Sequence, residues 1–175
     1  MSLYYLFMDI LKASIDWARA ELYSTSFFIL FGIIFLFACL GFWQLGKTEL
    51  AKAYIVPTMI AGVLLIIIGI GLFYTNKVRI TQFQSEFQDD QYLFVQTELE
   101  RVNNTLNEYD LIVFTIIPIM IMICSVGLVF INQPSWRASL IISIAMLIII
   151  LLIDGTAQSR IVIYQKKLTN YMSIM

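Results

Sequence analysis

Apolar and polar positions divide the chain into four long apolar runs and one long polar passage. The runs cover residues 26–44, 53–74, 111–131 and 138–154; the polar passage, 77–110, separates the second from the third. A helix rising 1.5 Å per residue needs about 20 apolar residues to cross a hydrocarbon layer of roughly 30 Å. The first three runs meet that length. The fourth offers only 16 residues before Asp154, roughly 24 Å, which puts this carboxylate at or just below an interface. Tyr23 and Trp43 bracket the first run and Tyr54 and Tyr74 the second, as amphipathic aromatics do at the two faces of a bilayer. The pattern predicts four membrane spans.

The polar passage contains no Gly and no Pro. Its apolar residues recur at Ile80, Phe83 and Phe87, then at Val95, Leu99, Val102, Leu106 and Tyr109. Steps of three and four put each set on one helical face. Gln88-Asp89-Asp90-Gln91 between them can turn the chain and cap a second helix, so a helical hairpin outside the membrane is expected. The same periodicity runs through Met8, Leu11, Ile15, Ala18 and Leu22, with Asp9, Lys12, Asp16, Arg19 and Glu21 elsewhere on that helix, and through Ile161, Tyr164, Leu168, Tyr171 and Met175. The N-terminal helix suits two placements, flat on a membrane surface or packed against the hairpin. Four spans bring all three segments out on one side. The expected fold is therefore all-α: a polytopic membrane protein of one domain, 1–175, built as an antiparallel four-helix transmembrane bundle with helices extended beyond the membrane on one side. Gly46-Lys47-Thr48-Glu49 and Asn132-Gln133-Pro134-Ser135 form the links on the other side. Pro57 falls in the first turns of its span, where a missing N–H costs little. Pro118 should kink its helix, Ser24-Thr25-Ser26 and Gly155 invite bends, and Gly62, Gly69 and Gly71 offer a small-residue surface for close packing.

Composition sharpens the class. The chain of 175 residues is 60% hydrophobic and 13% charged, against about 25% charged in a soluble domain. Lys12, Arg19, Lys77, Arg79, Arg101, Arg160, Lys166 and Lys167 lie on the hairpin side, eight against three (Lys47, Lys52 and Arg137) beside the short links. By the positive-inside rule the hairpin and both termini are cytoplasmic, and the expected location is a cell inner membrane. The first 24 residues carry too many charges for a cleaved signal peptide. A net charge of −1 excludes the basic footprint of a nucleic-acid binder. With no histidine, Ser-His-Asp and Cys-His catalysis and the commonest metal ligand drop out. Cys39 and Cys124 sit inside apolar runs, as small apolar fillers. No phosphate-binding loop, dinucleotide fingerprint or nucleophile elbow is present, and Glu86, Asp89 and Asp90 lack the spacing and the glycine of a calcium loop. Neither enzymatic activity nor a cofactor or metal is expected.

Two polar groupings remain. Asp154, at the end of an apolar run, invites a basic partner, for which Lys77 or Arg79 at the end of the second span is suitably placed; Arg160, six residues on, points elsewhere unless Gly155 bends the helix. The hairpin carries Glu86, Asp89, Asp90, Glu98, Glu100, Glu108 and Asp110 against Lys77, Arg79 and Arg101, a net −4, so Glu86, Asp89, Asp90, Glu98 and Glu100 form a candidate docking surface. The reading these support is a protein that contacts membrane lipid and binds a protein partner in the same membrane, with homo-oligomers allowed. Its concrete form is an immunity or regulatory protein acting against a pore-forming toxin. A subunit of a small homo-oligomeric channel or transporter, working through Pro118, Asp154 and the glycines of the second span, is the alternative.

Overall fold

The computed structural model describes residues 2–174, with side chains from Asp9 onward. Met8 and Met175, expected on the apolar stripes, lie outside the described side chains. The elements are α1 (Ser2–Leu45), α2 (Glu49–Ala53), α3 (Ile55–Asp89), α4 (Gln91–Glu108), a π-helical segment (Tyr109–Ile116), α5 (Ile117–Phe130) and α6 (Pro134–Met172); no strand occurs among the described residues. Four stretches, Asp9–Leu45, Glu49–Asp89, Gln91–Phe130 and Pro134–Met172, are long and apolar enough to cross a membrane. They also overrun one: α1 has 44 residues, roughly 66 Å at 1.5 Å each.

Local chemistry sets the breaks. Thr48 caps α2 by accepting the Ala51 N–H at 3.1 Å. Asp90, the extended residue between α3 and α4, accepts the Leu93 N–H at 2.9 Å, so the hairpin turn falls inside the expected tetrapeptide. Pro134 opens α6 in its first turn, where no N–H is needed. Arg137 reaches back from α6 and donates through Nη1 to the Leu128 and Ile131 carbonyls at 3.1 and 3.3 Å. It thereby satisfies acceptors that the end of α5 leaves free.

Three expected irregularities resolve differently. Ser24-Thr25-Ser26 and Gly155 lie inside uninterrupted helices. The Thr25 and Ser26 hydroxyls both donate to the Leu22 carbonyl at 3.0 Å, back-bonding that keeps them within the helix. Pro118 falls in the first turn of α5, directly after the π segment. The wide π turn ends where the proline would otherwise remove an α-helical bond and strike the preceding carbonyl.

Two cores divide the length. In the apolar half Phe28, Phe35, Ala61, Leu65 and Ile153 are buried together. Here α1 meets α3 closely: Gly69 lies against Ile29, Gly62 against Gly32 and Leu36, the Cys39 thiol 3.4 Å from the Ile55 carbonyl, and Phe42 stacks on Tyr54. A Cβ on Gly32 would stand 2.8 Å from the Gly62 carbonyl oxygen, and one on Gly62 would stand 2.9 Å from that of Gly32. The small-residue surface is thus Gly62 facing Gly32 and Gly69 facing Ile29, while Gly71 faces open space. α5 packs on α6 and the π segment but approaches neither α1 nor α3.

In the hairpin half Ile10, Trp17 and Ala18 of α1 join Phe83 and Phe87 of α3, Phe94, Val95 and Val102 of α4, and Ile161, Tyr164 and Leu168 of α6. Leu11, Ile15, Ile80, Leu99, Leu106 and Tyr109 pack against this core, and Phe94 meets Phe83 and Phe87 edge-on. The N-terminal helix therefore packs against the hairpin and the C-terminal helix. Gly32→Val should drive α1 from α3 and destabilise by about 1–3 kcal/mol, the usual cost of overpacking. Gly71→Val should stay within roughly 0.5 kcal/mol; thermal unfolding in detergent compares the two.

Candidate functional site

Charged and polar side chains enter the hairpin half in two linked clusters. The first is built on Glu98. It follows Val95 by three residues and precedes Val102 by four, so it shares their buried face and is 5% exposed. Its assignment to an exposed docking surface is thereby corrected. Arg101, one turn on, donates through Nε to Glu98 Oε1 at 2.8 Å and through Nη2 to Oε2 at 2.5 Å, the bidentate fork that suits a carboxylate. The guanidinium carbon lies 4.7 Å from the centre of the Trp17 ring on α1. Trp17 in turn stacks on Tyr164 of α6, centroids 5.1 Å apart and planes within 8°.

The Tyr164 hydroxyl closes the group, 2.7 Å from Ser14 Oγ and 3.1 Å from Glu98 Oε2. Ser14 donates its own proton to the Ile10 carbonyl at 2.9 Å and so receives the phenol as an acceptor. Burial and the neighbouring Glu98 charge push Tyr164 above the usual tyrosine range, so it stays a neutral donor. Burial opposes the charge on Arg101, but the hydrogen bonds and charge of Glu98 outweigh it and raise the arginine. Arg101 Nη1 and Trp17 Nε1 are buried without a hydrogen-bond partner.

The second cluster lines a cavity of about 200 Å³ where the apolar half meets the polar half; Glu21, Asn76, Arg79, Thr105, Tyr109 and Asp154 are among its walls. Arg160 crosses from α6 to α1, donating through Nε to Glu21 Oε1 at 3.1 Å and through Nη2 to Ser24 Oγ at 2.6 Å. Burial raises Glu21 more than Arg160 lowers it. Burial, then repulsion from Arg101, lowers Arg79, whose contact with Asn76 Oδ1 is long at 3.5 Å.

The pairing expected of Asp154 is not formed. Among the described residues neither Asp154 nor Arg79 joins an ion pair within 4.0 Å. Lys77 is exposed, because it follows the buried Asn76 by one residue and a helix turns about 100° per step. Asp154 and Arg79 share the cavity without meeting. Glu86, Asp89, Asp90 and Glu100 are exposed as expected, with Asp90 also acting as a cap. Asp110, in the π segment, accepts from Gln158 Nε2 at 3.1 Å.

Ser14, Trp17, Glu21 and Ser24 escaped the sequence reading. The signal was present: Ile10, Ser14, Trp17, Glu21, Ser24 and Phe28 advance by four and three in alternation. A search for apolar residues alone passes over a stripe with three polar members. No family model, no curated protein and no solved structure matches the chain.

The first cluster joins three helices: the ion pair lies within α4, Tyr164 of α6 hydrogen-bonds to it and Trp17 of α1 covers its guanidinium. Arg101→Ala should destabilise by about 3–5 kcal/mol, because Glu98 is left charged and buried without its cation. The double change Glu98→Leu with Arg101→Leu should cost clearly less than that single change, and equilibrium unfolding of both in detergent checks the order.

Proposed function

We propose that this is a multi-pass protein of a cell inner membrane that acts by binding. Its helices run antiparallel through the bilayer, and the hairpin half stands in the cytoplasm. One observation carries the reading. Among the described residues, the only buried polar side chain within the spans is Thr58, and its hydroxyl donates to the Tyr54 carbonyl of its own helix. Transport and proton relay use polar groups inside the membrane, and here the charged groups stand at the ends of the spans, Asp154 among them, rather than along their length. The residue pairing of α1 with α3 supports the antiparallel course. The broad exposed apolar faces, from Ile67 and Ile70 on α3 to Ile119, Met122, Ile123 and Val126 on α5, suit lipid or another membrane helix and far exceed a solvated surface patch.

What remains for function is surface. The hairpin presents Glu86, Asp89, Asp90 and Glu100 beside the exposed Tyr92 and Leu93, a face for a basic partner, and the spans present apolar ridges to a partner in the same bilayer. An immunity or regulatory protein that occludes a pore-forming toxin fits both surfaces.

Cysteine placed at Glu86 or Asp90 should react with a membrane-impermeant thiol reagent in inverted vesicles and not in intact cells. The reverse pattern would put the hairpin outside the cell, and protection in both would remove it from water. Purified protein in liposomes should carry no ion flux above protein-free vesicles. Flux that Asp154→Asn abolishes would favour a channel subunit instead.

A further inference from the structure

The cavity beneath the Glu98–Arg101 pair is lined by three charged side chains that join no ion pair among the described residues, Arg79 against Asp154 and Glu108. Arg79 has a single long contact with Asn76, while Glu21 is committed to Arg160 and Glu98 to Arg101. Asp154 forms no ion pair among the described residues, yet lines the same space. At about 200 Å³ the volume is far above the ~10–15 Å³ that one water needs. Half-buried charges facing a space of that size call for a counter-charge from outside the chain. A simple anion would satisfy Arg79 and be repelled by Asp154 and Glu108; a simple cation would meet the converse. A ligand bearing both charges satisfies both.

The surroundings specify the rest of that ligand. α3 does not approach the π segment or α5, and the cavity reaches from Leu72 and Arg79 of α3 to Glu108 and Tyr109. Leu72 and Thr75 on the α3 side and Glu108 on the other are cavity-lining residues that are themselves exposed. The spans beside the cavity expose apolar side chains, among them Ile68 and Leu72 on its own face of α3 and Ile112 and Ile116 of the π segment. A polar, two-signed cavity at the edge of apolar spans matches a lipid with a zwitterionic head.

We propose that the cavity binds the head group of an aminophospholipid, its phosphate on Arg79 and its primary ammonium on Asp154, with the acyl chains against the exposed apolar side chains of the spans. The Tyr109 hydroxyl and the Asn76 amide stand by as further donors to the phosphate. The ammonium needs N–H donors for a carboxylate, so a quaternary choline head is a poorer fit. A glycerol head supplies no cation at all. The proposal rests on the membrane reading above, and its test separates the two.

Membranes containing the full chain are first extracted with carbonate, which strips peripheral proteins; release into the soluble fraction overturns the membrane reading and this site with it. If the protein is retained, it is purified in detergent, delipidated and given phosphatidylethanolamine, phosphatidylcholine or phosphatidylglycerol of identical chains, or soluble phosphoethanolamine. Native mass spectrometry and thermal melting read the result. Phosphatidylethanolamine should be retained most tightly and raise the melting temperature most. Arg79→Gln should weaken its retention at least about tenfold, the loss expected for a charge-assisted hydrogen bond, and Asp154→Asn should erase the preference over phosphatidylcholine. Equal retention of the three lipids by the unaltered protein overturns the site whatever the variants do. Equal stabilisation by soluble phosphoethanolamine overturns the lipid in favour of a free small molecule.

Discussion

The Glu98–Arg101 ion pair stays buried because two other helices bring it partners. Taking two charges out of water costs several kcal/mol each, and their mutual attraction offsets that only with good geometry and further hydrogen bonds. Glu98 receives the forked guanidinium and the Tyr164 hydroxyl from α6, while Arg101 lies over Trp17 of α1. Removing any member leaves a buried polar group worse off. The pair therefore fixes the rotation of α4 and the register of α1 against α6, which greasy contacts such as Ile10, Val95 and Leu168 would leave freer. Apolar packing supplies the bulk of the attraction, and the Glu98–Arg101 pair with its partners chooses among its possible registers.

The apolar half meets the opposite condition. If lipid surrounds these spans, apolar side chains gain nothing by leaving it for one another, so association there depends on close contact. Gly32, Gly62 and Gly69 supply it by letting the α1 and α3 backbones touch. α5 has no such partner on α1 or α3 and leans on α6 alone. The molecule is thus closely joined on all sides where it holds its charges, and α5 is held from fewer sides where it is apolar. The cavity with Arg79 and Asp154 lies at the change from one regime to the other.

Much of this was legible in the sequence. Apolar runs and steps of three and four marked the long helices, the hairpin turn fell within Gln88-Asp89-Asp90-Gln91, and the stripe through Phe83, Phe87, Val95 and Val102 identified much of the hairpin's core. What was missed follows one rule: a polar residue on a buried face looks like surface to a hydrophobic count. Glu98 went to the docking surface, and Ser14 and Glu21 were passed over, because their burial depends on partners 66 to 150 residues away. The π segment was invisible for a related reason. Pro118 announces a disturbance, but whether it becomes a kink or a wide turn depends on how α5 sits on α6. Asp154 was marked as a residue in an unusual place, and it lines the cavity. Its neighbours could not be read, since Lys77 and Arg79 differ by two positions and point to different sides of α3.

The central claim is that the N-terminal, hairpin and C-terminal helices form one unit locked by buried charge. Hydrogen exchange of the full chain in detergent, compared with Arg101→Ala, tests it most directly. The account predicts strong protection across residues 10–24, 92–106 and 157–171, lost together in the variant while residues 26–44 keep theirs. Rapid exchange of residues 10–24 in the unaltered protein, or loss confined to α4 in the variant, would contradict it.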